Sequence, residues 1–319
     1  MCTAIQLAGK SLYFGRNLDL EFGYGEQIAV TPRNYPIHFR NGNQLLHHYA
    51  MIGMATMANG YPLYYEATNE MGLSIAALNF PQLAHYQSKV AGKENLAPYE
   101  LILYILGQCK DLQEAMALLP KIHLWALPFS RQYPLTPLHW LLADETGCMV
   151  LEPTKDGLKQ YPNPAHVLTN APGFPWHQYN LANYMQLHNT PAENNIGIHS
   201  LQPYSNGMGA MGLPGDLSSA SRFVRASFHV AHATKDAGIC DFFHILHSVA
   251  MPRGSVYVHD NLPEITRYSC CCDVKQGIYY YTTYTNSRIR AVRMANCRID
   301  GTAVETFDLM NRQDIFYQN

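Results

Sequence analysis

Charge is scarce in this chain. Asp, Glu, Lys and Arg make up 14% of its 319 residues and leave a formal charge of −2, so electrostatics favours neither nucleic acid nor an anionic membrane as partner. Long apolar runs are missing too, and none approaches the ~20 residues that span a bilayer. The amino terminus lacks a basic segment followed by an apolar one. No export signal is therefore expected, and a cytoplasmic location is. The eight cysteines include no paired C-x₂-C unit, which argues against zinc, and without an export signal they argue against a disulfide framework. Cys270-Cys271-Cys272 would alternate between the faces of a strand and cannot easily converge on one ion. Among the fifteen histidines, His229 with His232 and His244 with His247 have i, i+3 spacing, but no H-E-x-x-H accompanies them. They read as packed or surface side chains. The Gly-rich stretch 206–225 lacks the Lys-Ser/Thr ending of a phosphate loop, which argues against one. Neither a metal nor an organic cofactor is expected.

What the chain does have is 47% hydrophobic residues, ordinary for a soluble globular protein, and length enough for a sizeable core. No repeat, low-complexity tract or linker interrupts it, so one domain over residues 1–319 is expected. The first four residues are Met1-Cys2-Thr3-Ala4. A small residue after the initiator allows Met1 to be removed, leaving Cys2 as the amino terminus. A terminal Cys carries a thiol and an α-amine that each titrate near neutral pH, at roughly 8.5 and 8. The thiol can serve as nucleophile and the amine as its base, with no histidine needed.

Residues 2–7 and 11–20 pattern as two strands around Gly9-Lys10. A two-residue type II′ turn there pairs Ala8 with Ser11 and sets Cys2 opposite Asn17. In that register Asn17 and Asp19 share the face of Cys2, with Asp19 poised to hold the α-ammonium, while Arg16 points away unless a bulge re-aims it. Strands around 49–57, 61–68 and 73–78 follow, the last ending at Asn79-Phe80-Pro81. Helical periodicity covers 97–119. A hairpin is expected over 138–153, and a strand ends at Thr169-Asn170. Ser218 or Ser219 is a plausible N-cap for a helix carrying Arg222, and a second helix spans about 236–249. The remainder reads as β, with a hairpin of 277–284 and 288–294 about Thr285-Asn286-Ser287.

Taken together, Met1-Cys2-Thr3, Gly15-Arg16-Asn17-Leu18-Asp19, Leu78-Asn79-Phe80-Pro81, Thr169-Asn170 and Gly212-Leu213-Pro214-Gly215-Asp216 with Ser221-Arg222-Phe223 resemble the choloylglycine hydrolase family. Gly277-Ile278-Tyr279-Tyr280-Tyr281 with Asn286-Ser287 looks like that family's C-terminal hairpin. Its members are conjugated bile salt hydrolases and penicillin V acylases, within the N-terminal-nucleophile hydrolases. The resemblance implies an α+β fold, a four-layer αββα sandwich of two antiparallel sheets between helices. It implies Cys2 as nucleophile with its α-amine as base, Arg16 and Asp19 beside them, and Arg222 tuning both groups. Asn79 would lend a backbone N–H, and Asn170 a side-chain amide, to an oxyanion hole. It places Leu18, Phe22, Tyr24, Met57, Tyr64, Tyr65 and Phe129 around an apolar substrate pocket, and it implies a homotetramer.

Asn79 resembles the bile salt hydrolase version of its site, where penicillin V acylases tend to carry Tyr. The expected substrates are therefore glycine- and taurine-conjugated bile salts. Penicillin V or acyl-homoserine lactones, cleaved by the same chemistry, form the alternative, and a non-catalytic steroid- or metal-binding protein a third reading.

Overall fold

The strand Leu12–Leu20 buries every residue but its last, and Ser74–Asn79 does the same. Strands buried on both faces belong to sheets covered on both sides. The computed structural model describes residues 1–319, the side chain of Asp260 excepted. Two antiparallel sheets stack face to face. The first has six strands, in the order Val167–Leu168, Cys2–Ala8, Leu12–Leu20, Ile265–Asp273, Ile278–Thr283 and Asn286–Arg293. The second has eight, in the order Gly157–Pro162, Gly147–Thr154, Leu138–Asp144, Ser74–Asn79, Tyr61–Asn69, Met51–Ala58, Glu26–Thr31 and Glu305–Asp308.

Helices Ser219–Ala231 and Ile239–His247 cover the outer face of the first sheet, and Leu101–Gln108 covers the second. The result is the expected helix–sheet–sheet–helix sandwich. One apolar core, including Phe14, Met54 and Leu78, fills the space between the sheets and continues under the helical pair through Ile5, Phe223 and Phe242. The other packs Ile75 and Trp140 against Leu101 and Ile105. The helical stretch 97–119 divides after Gln108, because Asp111 caps a new helix, Leu112–Leu118, by accepting from the Glu114 N–H at 2.8 Å. The C-terminal hairpin turns at 284–285 rather than 285–287.

The amino-terminal hairpin departs from expectation by one residue. Ala8 pairs with Leu12, Thr3 with Asn17 and Cys2 with Leu18. Its loop holds three residues because Gly9 N donates to Ser11 O and Lys10 N to Ala237 O, both at 2.9 Å. Gly9 is required by crowding, not by a left-handed turn: a Cβ there would lie 2.3 Å from the Ala237 carbonyl oxygen. Paired residues of an antiparallel ladder share a face, so this slip exchanges every side chain. Cys2, Arg16 and Leu18 now point between the sheets, and Thr3, Asn17 and Asp19 point to the helices. Arg16 reaches the side of Cys2 with no bulge in this hairpin, and Asp19 stands on the opposite face from the thiol.

Two bulges lie nearby. One, between Thr266 and Tyr268, leaves Thr266 opposite Asp19. The other makes Tyr65 the unpaired residue between Tyr64 and Glu66, so its carbonyl drops out of the ladder.

Candidate active site

Cys2 occupies the first ladder position of the central sheet and is 3% exposed. Its backbone is held by two side chains. The Cys2 N–H donates to Asn170 Oδ1 at 2.8 Å, and the Cys2 carbonyl accepts from Arg222 Nη1 at 2.5 Å. Arg222 also donates to Thr3 Oγ1 at 2.6 Å, to Asn170 Oδ1 at 2.8 Å and to the Leu217 carbonyl at 3.0 Å. This buried guanidinium sits in the first turn of Ser219–Ala231, a helix capped by Ser218 accepting from Ser221 N. Burial pulls the Arg222 pKa down, and Asp19 and the thiol oppose that.

Met1 is attached in this structure and continues the ladder, exchanging bonds of 2.8 and 2.9 Å with the backbone of Asp19. Its ammonium pairs with the buried carboxylate of Glu264. Burial lowers the pKa of this terminal amine, which the thiol and Asp19 counteract. Asp19 accepts from Thr266 Oγ1 at 2.6 Å through one oxygen, and its other oxygen has no partner. Burial raises its pKa, opposed chiefly by Arg222.

Asn170 is held by groups far away in sequence. Ser219 Oγ accepts its N–H at 2.8 Å, and His177 Nε2 lies 2.9 Å from its carbonyl. His139 Nε2 holds the preceding Thr169 carbonyl at 2.9 Å while its ring stacks on Phe80, the residue after Asn79. The two asparagines meet directly: Asn170 Nδ2 donates to the Asn79 carbonyl at 2.7 Å. The strand pattern explains which way Asn79 faces. Phe80 N bonds to Pro137 O at 2.8 Å, so the alternation of an antiparallel ladder turns the N–H and C=O of Asn79 to the other edge. On that edge pairing with Tyr61–Asn69 has already ended at Ala76. The Ala77 carbonyl there accepts from Arg16 Nη1 instead. Asn79 N–H and the second Nδ2 hydrogen of Asn170 are thus available on one side of the cleft beside Cys2.

His177 is fully buried, with its Nδ1 unpartnered. The contact with the Asn170 carbonyl requires the Nε2–H tautomer, and burial pulls the imidazole down to about 4. An unfolded histidine titrates near ~6.5, so between these values the unfolded state binds more protons and stability falls with falling pH. The loss at the bottom of that window is about 3 kcal/mol. Urea midpoints measured from pH 7 to 4 are expected to show this slope, and His177→Gln to remove it. An unchanged slope in the variant would place the acid sensitivity elsewhere.

A cavity of about 460 Å³ opens against Cys2. Of the expected pocket residues, Leu18, Tyr24, Tyr64, Tyr65 and Phe129 line it, together with Arg16 and Asn79. Phe22 and Met57 do not. Phe22 is exposed and packs edge-on against Tyr24 with ring centres 5.0 Å apart, and Met57 packs against the outer core beneath Leu101–Gln108. Tyr99, Ile102, Tyr133 and Glu264 also line the cavity. They were missed because they sit in helical, loop or turn segments without a motif. Among the described residues no group of three or more metal-ligating side chains converges, and no helix is long and apolar enough to cross a membrane.

The model of the choloylglycine hydrolase family of linear amide C–N hydrolases matches residues 2–307. A bile salt hydrolase/transferase of Lactiplantibacillus plantarum is 45% identical over the full length of both chains. In structure, a variant of the conjugated bile acid hydrolase from Clostridium perfringens superposes over all of both chains with TM-score 0.94 and 35% identity. The penicillin V acylase from Agrobacterium tumefaciens shares the fold over 96% of this chain and 91% of its own, with TM-score 0.76 and 19% identity.

Proposed function

Because the chain belongs to the choloylglycine hydrolase family and is a linear amide hydrolase, we propose that it cleaves the amide of glycine- and taurine-conjugated bile salts. The observation that carries this reading is the placement of Cys2 at the polar end of an apolar cavity large enough for a rigid polycyclic acyl group.

Removal of Met1 turns the Cys2 N–H, now an amide, into a basic amine facing Asn170 Oδ1. Asp19, Arg222 and Arg16 set its charge balance. The amine takes the thiol proton and the thiolate attacks the amide carbonyl. The oxyanion accepts from Asn79 N–H and from the free Nδ2 hydrogen of Asn170, each such donor being worth roughly 3 kcal/mol. The amine then protonates the departing nitrogen of glycine or taurine. A thioester remains, and water activated by the same amine hydrolyses it. Leu18, Tyr24, Tyr64, Tyr65 and Phe129 would hold the acyl group. No step calls for a metal or cofactor.

The same reading carries a cytoplasmic homotetramer. Met185, Ile196, Tyr204 and Met211 are strongly exposed on one long irregular segment, apolar surface that self-association would cover.

The test is amine release from glycocholate and taurocholate, and phenoxyacetate release from penicillin V, by protein whose intact mass confirms loss of Met1. Cys2-dependent release from the bile salts is expected. Turnover of penicillin V alone would replace the substrate assignment.

A further inference from the structure

Arg16 and Glu66 form a buried ion pair between the two sheets, and the mechanism above makes no use of the carboxylate. Both side chains are at most 2% exposed, and Arg16 Nε lies 3.8 Å from Glu66 Oε2. The carboxylate is pinned by donors from three strands. Tyr268 Oη donates to Oε2 at 2.8 Å, Tyr279 Oη to Oε1 at 2.5 Å, and Met54 N to Oε1 at 3.3 Å. Two donors therefore come from the first sheet and one from the second, which fixes the anion against either layer.

Arg16 is restrained on the same side. Its Nη1 donates to the Ala77 carbonyl and, at 3.4 Å, to the carbonyl of the bulged residue Tyr65, and its Nε reaches Asn17 O at 3.3 Å. The remaining nitrogen, Nη2, is buried without a partner, and Arg16 lines the cavity that also exposes Cys2. An unpaired guanidinium N–H is costly in an apolar interior. Arg16 shares the inner face of the hairpin with Cys2, and the Glu66 carboxylate together with the Ala77 and Tyr65 carbonyls holds its guanidinium on that face.

We propose that Glu66, held by Tyr268 and Tyr279, is a positioning residue that keeps Arg16 turned toward the Cys2 thiol and the substrate carbonyl. It touches neither reactant and acts only through Arg16. The proposal rests on the function assigned above to Cys2 and Arg16. The other charged groups around the two amino-terminal residues are Asp19, Arg222 and Glu264, with His259 on the cavity wall; the groups around the guanidinium are Tyr65, Tyr268 and Cys270.

The experiment compares wild type, Glu66→Gln, Tyr268→Phe and Tyr279→Phe, all shown by mass to lack Met1 and by thermal melting to be folded. Two readouts are taken: kcat/KM on glycocholate, and the pH midpoint of Cys2 alkylation by iodoacetamide. If Arg16 is released, the thiolate loses a fixed cation, and the alkylation midpoint rises. The loss in kcat/KM is expected at about 100-fold for Glu66→Gln, as misplacement of a reacting group costs. Each Tyr→Phe should lose several-fold. These tyrosine variants keep the charge pair and the ring volume, so they carry the test if Glu66→Gln does not fold. A fall in the midpoint would mean that Glu66 only offsets the charge of Arg16. Unchanged midpoint and kcat/KM in folded variants would mean a purely structural pair. Either result overturns the proposal. A wild type that alkylates normally but releases no amine would instead overturn the substrate reading, leaving the alkylation shift to decide the role of Glu66.

Discussion

Cys2→Ser is expected to lose at least about 10⁴-fold in glycine release from glycocholate, the scale on which nucleophile deletions act in hydrolases. The substitution exchanges sulfur for oxygen at a position 3% exposed, so the sheet should keep its packing and the melting temperature should hold within a few degrees. The reason for the loss is acidity. An α-amine can share the proton of a thiol whose ordinary pKa is about 8.5, but it cannot remove a hydroxyl proton without a far larger penalty. Intact mass must accompany the assay, because retained Met1 would silence the chain for a different reason. A matured serine variant keeping more than about a hundredth of the activity would mean that the amide is attacked by something other than residue 2.

Asn170 offers the second large effect. Its Oδ1 accepts from Cys2 N and from Arg222, and its Nδ2 donates to the Asn79 carbonyl. Asn170→Ala removes all three contacts, and kcat/KM should fall about 10³-fold. Stability should fall by about 1–3 kcal/mol, since Arg222 and the Cys2 nitrogen are left with unsatisfied buried donors. Asn170→Asp separates the two functions of the side chain. It keeps the acceptor facing Cys2 and Arg222 but replaces the donor with an oxygen. If donation to the oxyanion dominates, the aspartate variant should be as slow as the alanine one. Substantial retained activity in Asn170→Asp would assign the importance of this residue to holding the amine instead.

Most strands and helices were legible from local patterns closed by turns, the layering followed from the family resemblance, and the position of Cys2 was legible because an amino terminus needs no tertiary information. The facing of Arg16 and Asp19 was not. Their sides depend on a three-residue loop held by the Ala237 carbonyl, more than two hundred residues downstream, and a local turn rule cannot see that contact. A one-residue slip then moved Arg16 toward the thiol and Asp19 away from it. Glu66 had a visible trace, a carboxylate inside the strand YPLYYEATN. Its partners come from the other sheet, so only stacking reveals the pair. Tyr64 and Tyr65 line the same cavity although adjacent residues normally point to opposite faces, and the bulge that allows this leaves no mark in the sequence. Phe22 and Met57, placed in the pocket by resemblance, lie outside it: Phe22 is exposed against Tyr24, and Met57 packs into the outer core.

The bonding of Met1 to the backbone of Asp19 dictates how this protein can be handled. An affinity tag or fusion partner joined at the amino end would extend a central strand outward past the cleft and lock the Cys2 nitrogen into a peptide bond. Such a product would purify well, melt normally and do nothing. Residues 315–319 lie exposed at the other end of the chain, so purification handles, surface anchors and reporter domains belong there.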